Sequence, residues 1–212
     1  MLLHNGLTSA VCLAGGLWAS QGLGDPVQTV LPASQQIVAF LCGAASWTLV
    51  EYVVHRWVFH LLVPASHAKH HLLPREARYL HGPTHVVLGT WVSALLLYVG
   101  GLGPALGLLA VAGLNVTFLG FELLHAHVHR DGGHWLLRRA RTWHALHHRN
   151  DAAAGPPAGF GFVSPFWDLL FGTWPDRAPL PRWLVWVTPI PLPLLHFVLA
   201  ALLARGKQSA PA

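Results

Sequence analysis

The chain has 212 residues, enough for one domain and hardly two. Only 10% of them are charged and 53% are hydrophobic, against roughly 25% charged in an average soluble domain. So little charge cannot cover a soluble surface, so an ordinary soluble protein is excluded and a membrane protein is expected. Net charge is +5, and eleven of the thirteen Lys and Arg lie between Arg56 and Arg78 or between Arg130 and Arg182. That clustering suits the cytoplasmic side of a bilayer. No basic stripe interleaved with aromatics is present, so nucleic acid is not expected as a partner. Cys12 and Cys42 form neither a CxxC pair nor a disulfide framework and read as two buried small hydrophobes. No Lys/Arg region opens the chain, so a cleaved signal peptide is not expected.

The first apolar stretch, Leu7 to Leu23, is rich in Gly and Ser and reads as one weak span or an interfacial helix. Asp25-Pro26 marks a turn. From Gln36 to about His60 the pattern is helical and long enough to span. Between Arg78 and Glu122 no charged residue occurs, and Gly100, Gly101, Gly103 and Pro104 interrupt the run. Two spanning arms are predicted, Pro83–Val99 and Ala105–Leu124, joined by a tight turn. Arg130 to Arg182 is polar, with a Gly/Pro/Ala loop from Ala152 to Gly159, and reads as an extramembrane cap. Trp183 to Leu203 is apolar, but Pro189, Pro191 and Pro193 forbid a regular helix, so a broken or re-entrant segment competes with a clean span. The expected architecture is all-α: an integral-membrane bundle of about four spanning or embedded segments, with a cytoplasmic helical cap holding a His-rich dinuclear metal site. It is read as one domain over 1–212 with a core at 36–182. The hairpin crosses twice, which returns every histidine group to one membrane face.

Histidine is the abnormal residue, sixteen of 212. His55 and His60 form HxxxxH; His67, His70 and His71 form HxxHH; His125 and His129 form HxxxH; His144, His147 and His148 form HxxHH again. Residues three and four apart share a helix face, so each HxxHH projects as a set. Neutral imidazole suits Fe, Zn, Cu and Ni, and ten nitrogens exceed the three or four ligands of a zinc hydrolase. Two ions with about five nitrogens each are expected. The i,i+5 pair fits less well, being turned by about 140° on an ideal helix. Either His60 lies past the helix end or the two rings serve different sides of the site. His4, His134 and His196 stand alone and read as satisfied structural histidines.

The boxes resemble the fatty-acid hydroxylase superfamily, which includes fatty-acid 2-hydroxylases and sterol desaturases. The resemblance runs from about Trp47 to Trp174. Trp47-Thr48-Leu49-Val50-Glu51-Tyr52 with His55 to His60 is similar to the first box. His67 to His71 followed by Leu73-Pro74-Arg75-Glu76 is similar to the second, and His144 to His148 to the last. Gly159-Phe160-Gly161-Phe162 through Trp167-Asp168 to Phe171-Gly172-Thr173 is similar to the family's closing stretch. The resemblance implies that His55, His60, His67, His70, His71, His125, His129, His144, His147 and His148 ligate two irons. It also implies O2 as co-substrate and hydroxylation or desaturation of a lipid C–H bond, with fatty-acyl hydroxylation in lipid biosynthesis foremost. A carotenoid or sterol enzyme of the same superfamily is the alternative, since Phe121 to Arg130 has a flavour of the bacterial carotenoid hydroxylases. A non-enzymatic His-rich protein that stores or moves metal is a further one; the uncharged hairpin arms argue against it.

Around the ligands, Glu51, Glu122, His81, His85, His127 and Asp168 are possible supporting residues. Metal-bound imidazoles usually donate their other N–H to a carboxylate or carbonyl. Glu51 precedes His55 by four residues and Glu122 precedes His125 by three, so each can reach along its helix. Asp168 also reads as a structural hydrogen-bond acceptor, and His127 falls on a different face from both neighbours. No GxGxxG, CxxC or haem-attachment motif occurs, so electrons are expected from a separate ferredoxin- or cytochrome-type donor. The location expected is a multi-pass membrane protein, in a bacterial inner membrane, with the metal site facing the cytoplasm.

Overall fold

The computed structural model describes residues 2–20, 31–74, 103–130, 134–152 and 157–208. Among the described residues every regular element is helical and no strand occurs. The elements are α1 Leu2–Ser20, α2 Ala33–Val53, a π-helix Val54–Leu62, α3 Pro64–Leu72, α4 Gly103–Val128, a 3-10 turn Trp135–Leu137, α5 Arg138–Ala152, α6 Phe166–Leu170, α7 Arg182–Val187 and α8 Leu195–Gln208. The predicted turn at Asp25-Pro26, the arm Pro83–Val99 and the glycines 100 and 101 lie outside the described residues, as do His81 and His85. Among the described residues two stretches are long and apolar enough to cross a membrane, Ala33–Leu62 and Gly103–Val128. The second, 26 residues, rises about 39 Å at ~1.5 Å per residue. The chain forms two compact units, residues 1–47 with 81–122 and residues 48–80 with 123–212.

In the first unit small residues decide the packing. A Cβ on Gly43 would stand 1.8 Å from the Ala110 carbonyl oxygen, and one on Gly113 would stand 2.0 Å from that of Phe40. The backbones of α2 and α4 therefore touch, a contact only glycine permits and one common between apolar helices. Trp47 closes the same seam against Phe118 at 4.6 Å and Phe121 at 5.8 Å. Val11, Trp18, Ile37, Val38 and Leu41 point outward and are exposed, as an apolar solvent would require. Cys42 is exposed and Cys12 half-buried, which corrects the expectation of two buried thiols. Cys42 lies one turn after Val38 and shares its outward face.

In the second unit, Pro64 at the first position of α3 starts a helix whose missing N–H costs nothing there. Trp143 is fully buried against Trp174 and Phe197. The apolar stretch at 183–203 is broken, as its prolines require: α7 stops at Val187 and α8 begins at Leu195. The break is tied down by the Leu194 N–H donating to the Val163 carbonyl at 2.8 Å. His196 is buried and its Nε2–H donates to the Thr188 carbonyl at 2.7 Å, while its buried Nδ1 has no partner among the described residues. The Trp167 indole N–H donates to Thr48 Oγ1 at 2.9 Å, and Thr48 Oγ1 donates to the Pro191 carbonyl at 3.1 Å.

The helix seam yields a direct test. Gly43→Ala or Gly113→Ala must push two backbones apart, and is expected to cost about 1–3 kcal/mol or more. Gly120→Ala meets nothing within 4 Å and is expected to be neutral or slightly stabilising. Thermal unfolding of the three variants in detergent checks this.

Candidate metal centre

The π-helix resolves the misfit of the first histidine pair. Its bonds close five residues apart; the Val63 N–H, for example, donates to the Val58 carbonyl at 2.8 Å. Residues i and i+5 then stack nearly one above the other, and the His55 and His60 rings lie 5.4 Å apart. His60 neither lies past the helix end nor turns away, which corrects both sequence expectations. His67, His70 and His71 come from α3, His125 from the last turn of α4, and His129 from the residue just after it. His144, His147 and His148 come from α5.

All ten candidate ligands converge. His55, His60, His67, His71 and His147 form one group and His70, His125, His129 and His144 a second, each with its donor atoms within 4.8 Å of one another and able to hold a metal ion. His148 joins through Nε2, 3.0 Å from His144 Nε2, with its ring stacked on His71 at 4.2 Å. The Nε2 atoms face each other: His55 to His67 at 3.1 Å, His67 to His71 at 2.9 Å, His60 to His147 at 3.3 Å, His70 to His125 at 3.1 Å and His129 to His144 at 2.9 Å.

Two of the rings have their tautomer fixed by the loop 157–163. His55 Nδ1 lies 2.7 Å from the Phe160 carbonyl and His147 Nδ1 lies 2.9 Å from the Ala158 carbonyl. A carbonyl can only accept, so each Nδ1 carries the proton and each neutral ring turns a bare Nε2 lone pair inward. A cation between two such bare lone pairs would relieve their repulsion. Two nitrogens bound about 2.1 Å from one ion at a right angle are ~3.0 Å apart, which matches the separations found. The donor set fits a divalent transition metal.

The loop 157–163 holds this arrangement. Its carbonyls take the His55 and His147 protons, and its amides go to two buried carboxylates. Asp168 accepts from the N–H of Phe160 at 2.8 Å and of Gly161 at 2.7 Å, and from Thr173 Oγ1 at 2.7 Å. Glu51 Oε1 accepts from the Phe162 N–H at 2.7 Å, and its carboxylate also receives the Val163 N–H. Glu51 therefore supports the loop, whereas the sequence suggested that it would reach along α2 to His55. The peptide joining Phe160 to Gly161 links a histidine to a carboxylate directly: its C=O receives His55 and its N–H gives to Asp168. Gly161 is required there, because a Cβ would lie 2.2 Å from the Ser164 carbonyl oxygen and 2.8 Å from Asp168 Oδ2.

Two aromatic residues in this loop escaped the sequence reading of the site. The Phe160 ring packs against His60 at 5.2 Å and His147 at 5.5 Å, over the first group. The Phe162 ring packs against His144 at 4.7 Å and His125 at 5.9 Å, over the second. Their i,i+2 spacing in Gly159-Phe160-Gly161-Phe162 was the available signal. Glu122 is fully buried on α4, one turn before His125. His127 is half-buried and takes no part in the ring contacts of the cluster among the described residues. His134 caps the 3-10 turn, its Nδ1 accepting from the Leu136 N–H at 3.4 Å.

Burial, followed by the neighbouring histidines, pushes His71, His129 and His148 down to about 3 and lowers His67, His144 and His147 as well. The rings stay neutral and ready to ligate at any ordinary pH.

The fatty acid hydroxylase family profile matches residues 40–173, more than half of the chain, and the protein belongs to that family. The chain is 32% identical over 161 residues to a ceramide very long chain fatty acid hydroxylase of Schizosaccharomyces pombe, covering 68% of this chain and 44% of that protein. It is 27% identical over 179 residues to a dihydroceramide fatty acyl 2-hydroxylase of Arabidopsis thaliana, covering 78% of this chain and 69% of that protein. It is 26% identical over 165 residues to a fatty acid 2-hydroxylase of Homo sapiens, covering 70% of this chain and 42% of that one. The chain thus spans less than half the length of the yeast and human relatives. No solved structure gives a significant match.

The depressed ring values predict an acid-labile metal-free protein. Unfolded histidines titrate near about 6.5. Below that pH the unfolded chain takes up protons that the folded cluster refuses, so stability falls as pH drops from about 6.5 toward 3. Asp168, raised by burial to about 7, gains its proton in the folded state first and acts in the opposite sense, but it is one group against six. The unfolding temperature of metal-free protein should be clearly lower at pH 5 than at pH 7.5; no change would contradict the neutral-ring assignment.

Proposed function

We propose that this chain is a membrane-embedded di-iron oxygenase that hydroxylates a fatty-acyl chain in lipid biosynthesis. The observation that carries the reading is the convergence of ten inward-facing imidazoles with no carboxylate among them. We take His55, His60, His67, His70, His71, His125, His129, His144, His147 and His148 as the ligands. Two irons there would supply the activation of dioxygen for attack on an unactivated C–H bond. In the overall reaction one oxygen atom enters the C–H bond as hydroxyl and the other leaves as water, with two electrons and two protons from outside. The donor is a separate ferredoxin- or cytochrome-type protein. The relatives are named for fatty-acyl and ceramide substrates, which favours an acyl chain over a carotenoid or sterol ring.

The protein's own residues orient the donors and keep the site dry. The Phe160 and Ala158 carbonyls fix two tautomers, Asp168 and Glu51 hold the loop that carries those carbonyls, and Phe160 and Phe162 cover the rings. Hydrogen bonds of this supporting kind commonly change metal affinity by about 10–100-fold when removed. We read the chain as a single membrane-embedded hydroxylase domain, with about four spanning or embedded segments in a bacterial inner membrane. The polar segment between Arg130 and Arg182 forms a cap on the cytoplasmic face, where its positive charge belongs.

Comparative lipid profiling tests the reading. Cells expressing the chain should accumulate an acyl lipid heavier by one oxygen atom. His147→Ala should abolish that product, and Asp168→Asn should reduce both product and bound metal at retained expression. An unchanged lipid profile, or full activity in His147→Ala, would overturn the proposal.

A further inference from the structure

A cavity of about 700 Å³ opens beside the first histidine group, lined in part by Arg56, Trp57, His60, Leu61, Phe171 and Thr173. Its size falls among small-molecule pockets, roughly 300–1,000 Å³. Its walls differ in character. Trp57, Leu61 and Phe171 are exposed apolar side chains, a rim that water does not favour and a hydrocarbon chain does. Arg56 brings a cation to the same space. Its guanidinium lies over the Trp57 ring at 5.2 Å and the Phe160 ring at 6.0 Å. Nη1–H donates to the Tyr52 hydroxyl at 2.8 Å. Tyr52 meets Thr173 Oγ1 at 2.9 Å, and Thr173 donates to Asp168. With the Thr173 proton committed to the carboxylate, Tyr52 donates to Thr173 and accepts from Arg56. This relay holds the guanidinium in place and occupies one of its five N–H donors, and no carboxylate forms an ion pair with it among the described residues. Asp176, also on the wall, is exposed.

From this geometry we infer that the cavity is the head-group site for a long-chain carboxylate, with Arg56 as the anchor of the carboxylate and the Trp57, Leu61 and Phe171 rim receiving the first part of the chain. The inference rests on the hydroxylase reading above and deepens it. A planar guanidinium matches a carboxylate through paired N–H bonds, while apolar walls take the methylenes. His60 and Arg56 flank one ring, Phe160, whose centre is 5.2 Å from the imidazole and 6.0 Å from the guanidinium carbon. Anchoring the acid end there brings the carbons next to the carboxylate, rather than the far methyl end, toward the first histidine group.

The test uses the full metal-loaded chain in detergent. The probes are brominated palmitate and its methyl ester, and the readout is quenching of tryptophan fluorescence, since Trp57 and Trp174 line the cavity. Palmitate should bind more tightly than the ester. Arg56→Gln should weaken palmitate at least tenfold and leave the ester nearly unchanged, with Arg56→Lys between. Leu61→Trp, a change at an exposed wall position that should leave folding intact, should fill the space and weaken both probes. Equal binding of acid and ester to the unaltered chain, or equal loss of both in Arg56→Gln, would overturn the inference. A chain that hydroxylates acyl lipids without Arg56-dependent binding would refute this site and leave the hydroxylase reading standing. Arg56-dependent palmitate binding in a chain that hydroxylates no lipid would do the reverse.

Discussion

One short stretch of backbone, residues 158–163, is used on both of its edges. Its carbonyls receive protons from His55 and His147, and its amides are spent on Asp168 and Glu51. A buried peptide group must be paired, and here every pairing also orients something else. Two carboxylates fix the loop, and the loop fixes two imidazole tautomers. Those tautomers turn lone pairs toward the metal space, and Phe160 and Phe162 are carried over the two histidine groups by the same loop. Among the described residues neither buried carboxylate forms an ion pair with an arginine or lysine, which is tolerable because each collects several N–H or O–H donors.

The cluster itself is costly without metal. Ten imidazoles crowd together there, and His55 and His147 turn bare Nε2 lone pairs inward. Metal binding would relieve their repulsion and link folding to occupancy, so the apparent stability of this unit belongs to the loaded protein. The π-helix serves the same end. It sacrifices regular α-geometry over nine residues so that two histidines five apart reach one group. Such local departures concentrate at functional sites.

Much of this was legible in the sequence for identifiable reasons. Low charge and two long apolar runs gave the helical class. The i,i+3 and i,i+4 spacing of His67, His70 and His71, and of His144, His147 and His148, put each triad on one side of its helix, but the structure divides each between the two groups, with His67, His71 and His147 in the first and His70 and His144 in the second. The prolines at 189, 191 and 193 announced the break between α7 and α8. The His55–His60 pair was misjudged because helix periodicity assumes 3.6 residues per turn, and nothing in the residue pattern alone reports a π-helix. The partner of Glu51 was misjudged because residue 162 is remote in sequence, and only tertiary packing brings its amide to α2. The roles of Phe160 and Phe162 were hidden in a motif whose spacing showed its presence and not its contacts.

The central claim is that histidine is the only side chain that holds two metal ions in this chain. X-ray absorption at the iron edge, with metal content measured on the same purified protein, tests it most directly. The account predicts about two irons per chain, a first shell of nitrogen and oxygen only, and no sulfur scatterer. Folded protein that takes up no iron, or that binds a single ion with a sulfur ligand, would contradict it.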